Sequence, residues 1–191
     1  MKELKEKIIN EAIVLPGNVL RIDSFLNHQI DVALVAKCGQ KWYELFKDAG
    51  ITKILTVESA GIGIATLTAQ YFGVPVVYAK KTKSASIGND FYSTKVVSYT
   101  HGQVYEIVVS KKYINENDRI LLIDDCLANG SALKVLINLV EMGGAKIVGA
   151  GVVIEKTYMK GGKDLRDMGY RIESLAKISS MNSDGNIKFE D

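Results

Sequence analysis

Asp124 and Asp125 close an apolar run, Ile120-Leu121-Leu122-Ile123. Adjacent carboxylates at such a place can accept hydrogen bonds from the hydroxyl groups of a ligand. Cys126 and Leu127 follow, and then side-chain bulk almost vanishes over Ala128, Asn129, Gly130, Ser131 and Ala132. A helix is predicted to start there, over residues 131–142. Small side chains let an anion approach the backbone, whose N–H groups at a helix start can bond it while the helix dipole favours it. The Asn129 amide and the Ser131 hydroxyl add donors. The loop therefore suits a phosphate and the acids suit hydroxyls, which together describe a phosphorylated sugar.

Three other readings compete for these residues. A magnesium site of the Walker B kind would need a GxxxxGK[ST] loop, and the chain has none. An ordinary strand end followed by a helix cap remains open. A dinucleotide site is weakly suggested by Gly61 and Gly63 in "ESAGIGIAT", but Thr66 stands where the third glycine belongs. Simple helix–sheet packing explains those glycines equally well.

The elements that must position these groups follow from periodicity. Residues 2–13 read as an amphipathic helix with Leu4, Ile8 and Ala12 on one face, broken by Pro16-Gly17-Asn18. Residues 31–48 read as a second helix, ended by Gly50. "KILTV" at 53–57, "VPVVYA" at 74–79, "ILLID" at 120–124 and "KIVGAGVVIE" at 146–155 read as buried strands, with a helix over 61–73. Continuous apolar strands alternating with helices predict an α/β fold, a mostly parallel central sheet covered by helices on both faces. In such sheets ligands bind at the carboxyl ends of the strands. Residues 80–94 break the rhythm, being polar and rich in Ser, Lys and Gly. Beyond them "KVVSYT" and "VYEIVVS", joined by "HGQ", read as a hairpin.

Composition limits the alternatives. The chain has 191 residues, 47% of them hydrophobic, enough for one domain with a real core. With 24 basic and 22 acidic residues the net charge is +2, which does not suit a dedicated nucleic-acid binder. Cys38 and Cys126 lie far apart without CxxC spacing, as expected of reduced thiols in a cytoplasmic protein. The charged N-terminus does not read as a signal peptide, and no apolar run approaches the ~20 residues of a membrane span. The expectation is a soluble cytoplasmic protein with no membrane partner.

"ILLIDDCLANGSA" resembles the phosphoribosyl diphosphate (PRPP) signature of type I phosphoribosyltransferases. The family often has Thr-Gly-Gly or Thr-Gly-Thr where this chain has Asn129-Gly130-Ser131, a mild departure that keeps polarity and small size. The order of parts, the length and the N-terminal segment look most like the bacterial xanthine phosphoribosyltransferases. The resemblance implies a type I phosphoribosyltransferase fold in one domain over residues 1–191, with a small N-terminal hood at about 1–31 and a flexible lid at about 82–94. It implies that Asp124 and Asp125 bind the ribose hydroxyls and that residues 128–132 cradle the 5-phosphate. Glu58, Ser59, Ala60 and Gly61 would hold the diphosphate, with a non-proline cis peptide near Ser59-Ala60. Lys81, at the end of the next strand beside Lys80, would approach the same group. Mg²⁺ would arrive chelated by PRPP, so no full protein ligand set is expected.

By the same resemblance, Leu20 and Asn27 of the hood and Lys156, placed after the last long core strand, contact the purine. The Asn27 amide can donate to the C2 carbonyl of xanthine and Lys156 to O6 or N7, which would favour xanthine. Leu20 as core, Asn27 as a turn residue and His28 and His101 as structural residues remain the plainer alternatives. No strong general base is expected, because the departing diphosphate needs charge stabilisation above all. A homodimer is implied. The competing functions are a PRPP-sensing regulator, a transferase for adenine, guanine or hypoxanthine, and a nucleotide-dependent oxidoreductase.

Overall fold

The computed structural model describes residues 1–81, 90–97, 104–182 and 184–190. A six-stranded sheet lies at its centre, in the order β10-β9-β8-β7-β3-β4. Its strands are β3 (Lys53–Val57), β4 (Val76–Ala79), β7 (Arg119–Leu127), β8 (Lys146–Lys156), β9 (Ile172–Met181) and β10 (Ile187–Phe189). All neighbours are parallel except the β9–β10 pair. The apolar runs explain this: Ile54, Leu55, Ile120, Leu121, Leu122 and Ile123 are buried on both sides of the sheet, which only a doubly covered parallel sheet requires.

One face carries α1 (Lys2–Glu11), α2 (Val32–Phe46) and α3 (Ala60–Phe72) over Ile54, Leu121 and Ile123. The other carries α4 (Ser131–Met142) and the short α5 (Gly161–Asp167) over Leu55, Ile120 and Leu122. A hairpin of β5 (Phe91–Val97) and β6 (Val104–Ser110) packs beside α4. Trp42 of α2 is fully buried, and its Nε1 donates to the Glu173 carbonyl oxygen at 3.1 Å. Gly151 on β8 makes room for that ring: a Cβ there would meet Trp42 Cε2 and Nε1 at 2.7 Å and Ile123 Cδ1 at 2.9 Å. Overpacking by one methyl costs about 1–3 kcal/mol. Gly151→Ala is therefore expected to lower Tm by about 2–12 °C, measured by calorimetry.

The chain crosses from β3 through α3 to β4 on one side and later returns to β7 on the other side of β3. This reversal leaves a crevice above the carboxyl ends of β3 and β7, the place where open α/β sheets hold ligands.

Several expectations are corrected. Pro16-Gly17-Asn18 does not merely break α1. It forms the turn of a small antiparallel hairpin, β1 (Ile13–Leu15) with β2 (Val19–Arg21), and Gly17 and Asn18 both have positive φ, +79° and +62°. A π-helical turn, Asp23–Asn27, follows and buries Phe25 and Leu26. Of the lid segment, residues 82–89 lie outside the described residues, as do the "HGQ" connection and His101, whereas residues 91–94 belong to β5. β8 is not the last long strand, because β9 follows it; α5, β9 and β10 were not read from the sequence.

Candidate active site

β7 does not stop at the acids. It runs on to Leu127, so Asp124 and Asp125 are consecutive strand residues, and their carboxyl groups nonetheless meet. Asp124 is buried on the α4 face, while Asp125 is partly exposed. The Asp125 N–H donates to Asp124 Oδ1 at 3.0 Å. Burial pushes the Asp124 carboxyl well above the usual carboxylate range, and the neighbouring Asp125 charge pushes the same way; the Lys81 charge acts against both.

Beyond Leu127 the loop turns into α4 through Gly130, whose φ of +76° is the left-handed conformation that glycine adopts without strain. The first turn of α4 then presents main-chain N–H groups that have no partner within the helix. A cavity of about 240 Å³ forms here, lined by Asp124, Cys126 and residues 127–133. The structure thus brings Ala128, Asn129, Gly130, Ser131 and Ala132 around one concavity together with Asp124. Asp125 lies outside that lining.

The loop after β3 stands across the crevice. The Glu58–Ser59 peptide bond is cis, one residue earlier than expected. Ser59 caps α3, so Ala60 and Gly61 form its first turn. Gly61 packs directly on the Thr56 hydroxyl, which is fully buried and has no hydrogen-bond partner among the described residues. Gly63 packs on Ile30 of the hood. The glycine pattern of this helix therefore serves close packing. Glu58 Oε1 accepts from the Lys81 N–H at 2.6 Å, and the Glu58 N–H donates to the Ala79 carbonyl oxygen at 3.0 Å. The Glu58 carboxylate thus ties the β3 loop to the end of β4 and holds Lys81 at the crevice.

The N-terminal segment touches the sheet at the end of β8 and α3 at Gly63. Leu20 is buried at the centre of β2, Asn27 is exposed at the end of the π-helical turn, and His28 beside it is exposed as well. Lys156 ends β8 with its side chain buried, and its Nζ donates to the Asn18 carbonyl oxygen at 2.6 Å. This bond joins the hood turn to the sheet. The sequence reading placed Asn18 in a turn but in no contact with Lys156. The only signal for it was the Pro-Gly-Asn turn, which favours left-handed backbone at its centre.

A family model described as "Phosphoribosyl transferase domain" matches residues 22–180, which include both loops, the acid pair and Lys156. The chain belongs to the phosphoribosyltransferase family. It is 50% identical over 190 residues to a xanthine phosphoribosyltransferase of Lachnoclostridium phytofermentans, covering 99% of this chain and 98% of that one. It is also 50% identical over 191 residues to a xanthine phosphoribosyltransferase of Bifidobacterium adolescentis, covering 99% of each. Among solved structures, an adenine phosphoribosyltransferase from Rhodothermus marinus superimposes with a TM-score of 0.74, covering 93% of this chain and 99% of that one. At 22% identity that likeness shows the fold, which is the type I phosphoribosyltransferase fold.

Cys126 is the one thiol that lines this phosphoribosyltransferase crevice. Burial pushes Cys126 up to about 12, and the Asp125 and Asp124 charges push the same way against Lys156. A free thiol of pKa ~8.5 is roughly a thousand times more ionised at pH 8. Cys126 is therefore expected to react with iodoacetamide about a thousandfold more slowly in the folded protein than after denaturation, as read by mass spectrometry. Labelling of Cys126 at the free-thiol rate would contradict the geometry of β7.

Proposed function

We propose that the protein transfers the 5-phosphoribosyl group of PRPP to xanthine, giving xanthosine 5′-monophosphate and diphosphate. The observation that carries this reading is the 50% identity, over nearly the whole chain, to relatives named xanthine phosphoribosyltransferase. The whole chain is read as one domain.

The residues take the following roles in this reading. The N–H groups around Gly130, with Asn129 and Ser131, bind the 5-phosphate at the start of α4. Asp124 and Asp125 accept hydrogen bonds from the ribose hydroxyls and fix the ring at the end of β7. The first turn of α3, with Ser59, Ala60 and Gly61, faces the diphosphate through its main chain; Glu58 contributes by orienting Lys81, whose charge favours the departing anion. Lys156 donates to the purine from below the hood, Asn27 from its rim, and Leu20 packs on the base.

Among the described residues no three His, Cys, Asp or Glu side chains gather as a metal site. The acid pair is compatible with a magnesium ion carried by PRPP, since Asp124 and Asp125 would hold the ribose hydroxyls near it. Bound with PRPP, Mg²⁺ neutralises charge on the diphosphate. No helix of the described residues is long and apolar enough to cross a membrane. The assignment to the cytoplasm and to a homodimer is part of this proposal, and sedimentation equilibrium at twice the 20.9 kDa chain mass would support the latter.

The test is diphosphate release. Purified protein with PRPP and Mg²⁺ is expected to release diphosphate only when xanthine is added. Binding of PRPP without turnover on any purine would instead indicate a PRPP-responsive regulator.

A further inference from the structure

The segment leaving Lys156 runs straight to the loop at the start of α4. Thr157 grips the Ile178 carbonyl oxygen twice, through its N–H at 2.9 Å and its Oγ1 at 3.1 Å. The Met159 N–H donates to the Lys156 carbonyl oxygen at 3.0 Å, and the Gly161 N–H donates to the Ala128 carbonyl oxygen at 3.0 Å. A Cβ on Gly161 would lie far inside van der Waals contact of Ala128 O, Asn129 C and Gly130 N. All three are main-chain atoms, so no side chain can swing aside to admit it. The contact is mutual: a Cβ on Gly130 would meet Gly161 Cα at 3.3 Å and Gly161 O at 3.4 Å.

The floor beneath this contact is fixed. Glu155 is fully buried and accepts two bonds from Arg166, at 2.6 and 2.7 Å, and a third from the Ser174 hydroxyl. Gly162 packs directly on that carboxylate. The strap can therefore give way neither downward into the Glu155–Arg166 pair nor sideways from Thr157.

We propose that Gly161 is a positioning residue for the substrate phosphate: its bare Cα sets how close the loop 128–132 lies to the strap that begins at Lys156. It thereby fixes the distance between the phosphate end and the base end of the bound nucleotide. This rests on the reading of residues 128–132 as the 5-phosphate loop. An alanine at 161 must push that loop outward, so that the phosphate and the ribose acids fall out of register. The base contact at Lys156 stays where the paired strands β8 and β9 hold it.

Calorimetric titration with ribose 5-phosphate and, separately, with diphosphate tests this on Gly161→Ala and Gly162→Ala. Ribose 5-phosphate engages the α4 loop and diphosphate the α3 loop, so a general loss of structure would weaken both. For Gly161→Ala, ribose 5-phosphate is expected to bind at least about tenfold more weakly, since a displacement near 1 Å in a binding site is felt on that scale. Diphosphate affinity should stay within about twofold, and KM should rise for PRPP and not for xanthine. Gly162→Ala crowds the Glu155 carboxylate without touching the loop and should leave ribose 5-phosphate affinity within about twofold. If Gly161→Ala does not fold, Gly130→Ala approaches the same contact more mildly from the loop side, and the same selective loss is expected. Equal weakening of both ligands, equal effects of the two alanines at 161 and 162, or unchanged ribose 5-phosphate affinity would overturn the proposal. A wild-type protein that turns over xanthine but shows no affinity for ribose 5-phosphate would remove the 5-phosphate loop itself, and this role with it.

Discussion

Lys156→Met is expected to lower kcat/KM for xanthine by about 10²-fold, with KM for PRPP changed by less than about threefold. The ammonium is buried and makes a 2.6 Å bond to the Asn18 carbonyl oxygen, so it serves two sides of the crevice. Methionine fills the space but donates nothing. A hydrogen bond from a charged donor is worth about 1.5–3 kcal/mol, or roughly 10–150-fold, and the variant also takes from the Asn18 carbonyl the donor that ties the turn to β8. The second loss loosens the hood, so Tm should fall as well. Steady-state kinetics with each substrate varied in turn separates the two sides. A rise confined to KM for PRPP would contradict the placement of Lys156 on the base side.

Asp124→Asn is expected to make the protein more stable and less active. Burial raises the Asp124 carboxyl well above its ordinary value, assisted by the Asp125 charge. The folded protein therefore keeps a proton there that the unfolded chain, with a carboxyl near ~4, has already released. Stability from this site is fully present below that value and is lost as pH rises through the raised native value. Asparagine does not titrate, and its Oδ1 can still accept from the Asp125 N–H. The Tm advantage of the variant should thus be absent at low pH and grow toward pH 8, each kcal/mol appearing as about 2–4 °C. Activity moves the other way. Exchanging a carboxyl oxygen for an amide NH2, which cannot accept from a ribose hydroxyl, should cut kcat/KM for PRPP by about tenfold. A variant less stable than wild type at pH 8, or equally active, would contradict the role given to Asp124.

The central strands and α4 were legible because local pattern and burial agree there. β3 spans Lys53–Val57 and α4 spans Ser131–Met142, as periodicity alone indicates. The two acids were legible as chemistry, yet the strand end was not: whether β7 stops at Asp124 or continues to Leu127 is not set locally. Pairing with β8 decides it, since Cys126 and Leu127 oppose Ile154 and Glu155. The hood hairpin escaped because its strands are three residues each, too short to show alternation. α5 escaped because it opens on Gly161-Gly162, which disfavours a helix locally and is retained for contacts made elsewhere. Lys156 was named only by resemblance. Its partner is a main-chain carbonyl 138 residues away, and no side-chain pattern encodes that.

One competition experiment tests the central claim most directly. Xanthine, guanine, hypoxanthine and adenine are supplied at equal concentration with PRPP and Mg²⁺, and the nucleotides formed are identified by mass. Products in such a mixture divide in the ratio of kcat/KM, and a site built around hydrogen bonds to one purine discriminates by its unpaired groups. The account predicts xanthosine 5′-monophosphate as the dominant product. Dominance of guanosine, inosine or adenosine 5′-monophosphate would keep the fold and the phosphate loop but contradict the base site built from Leu20, Asn27 and Lys156.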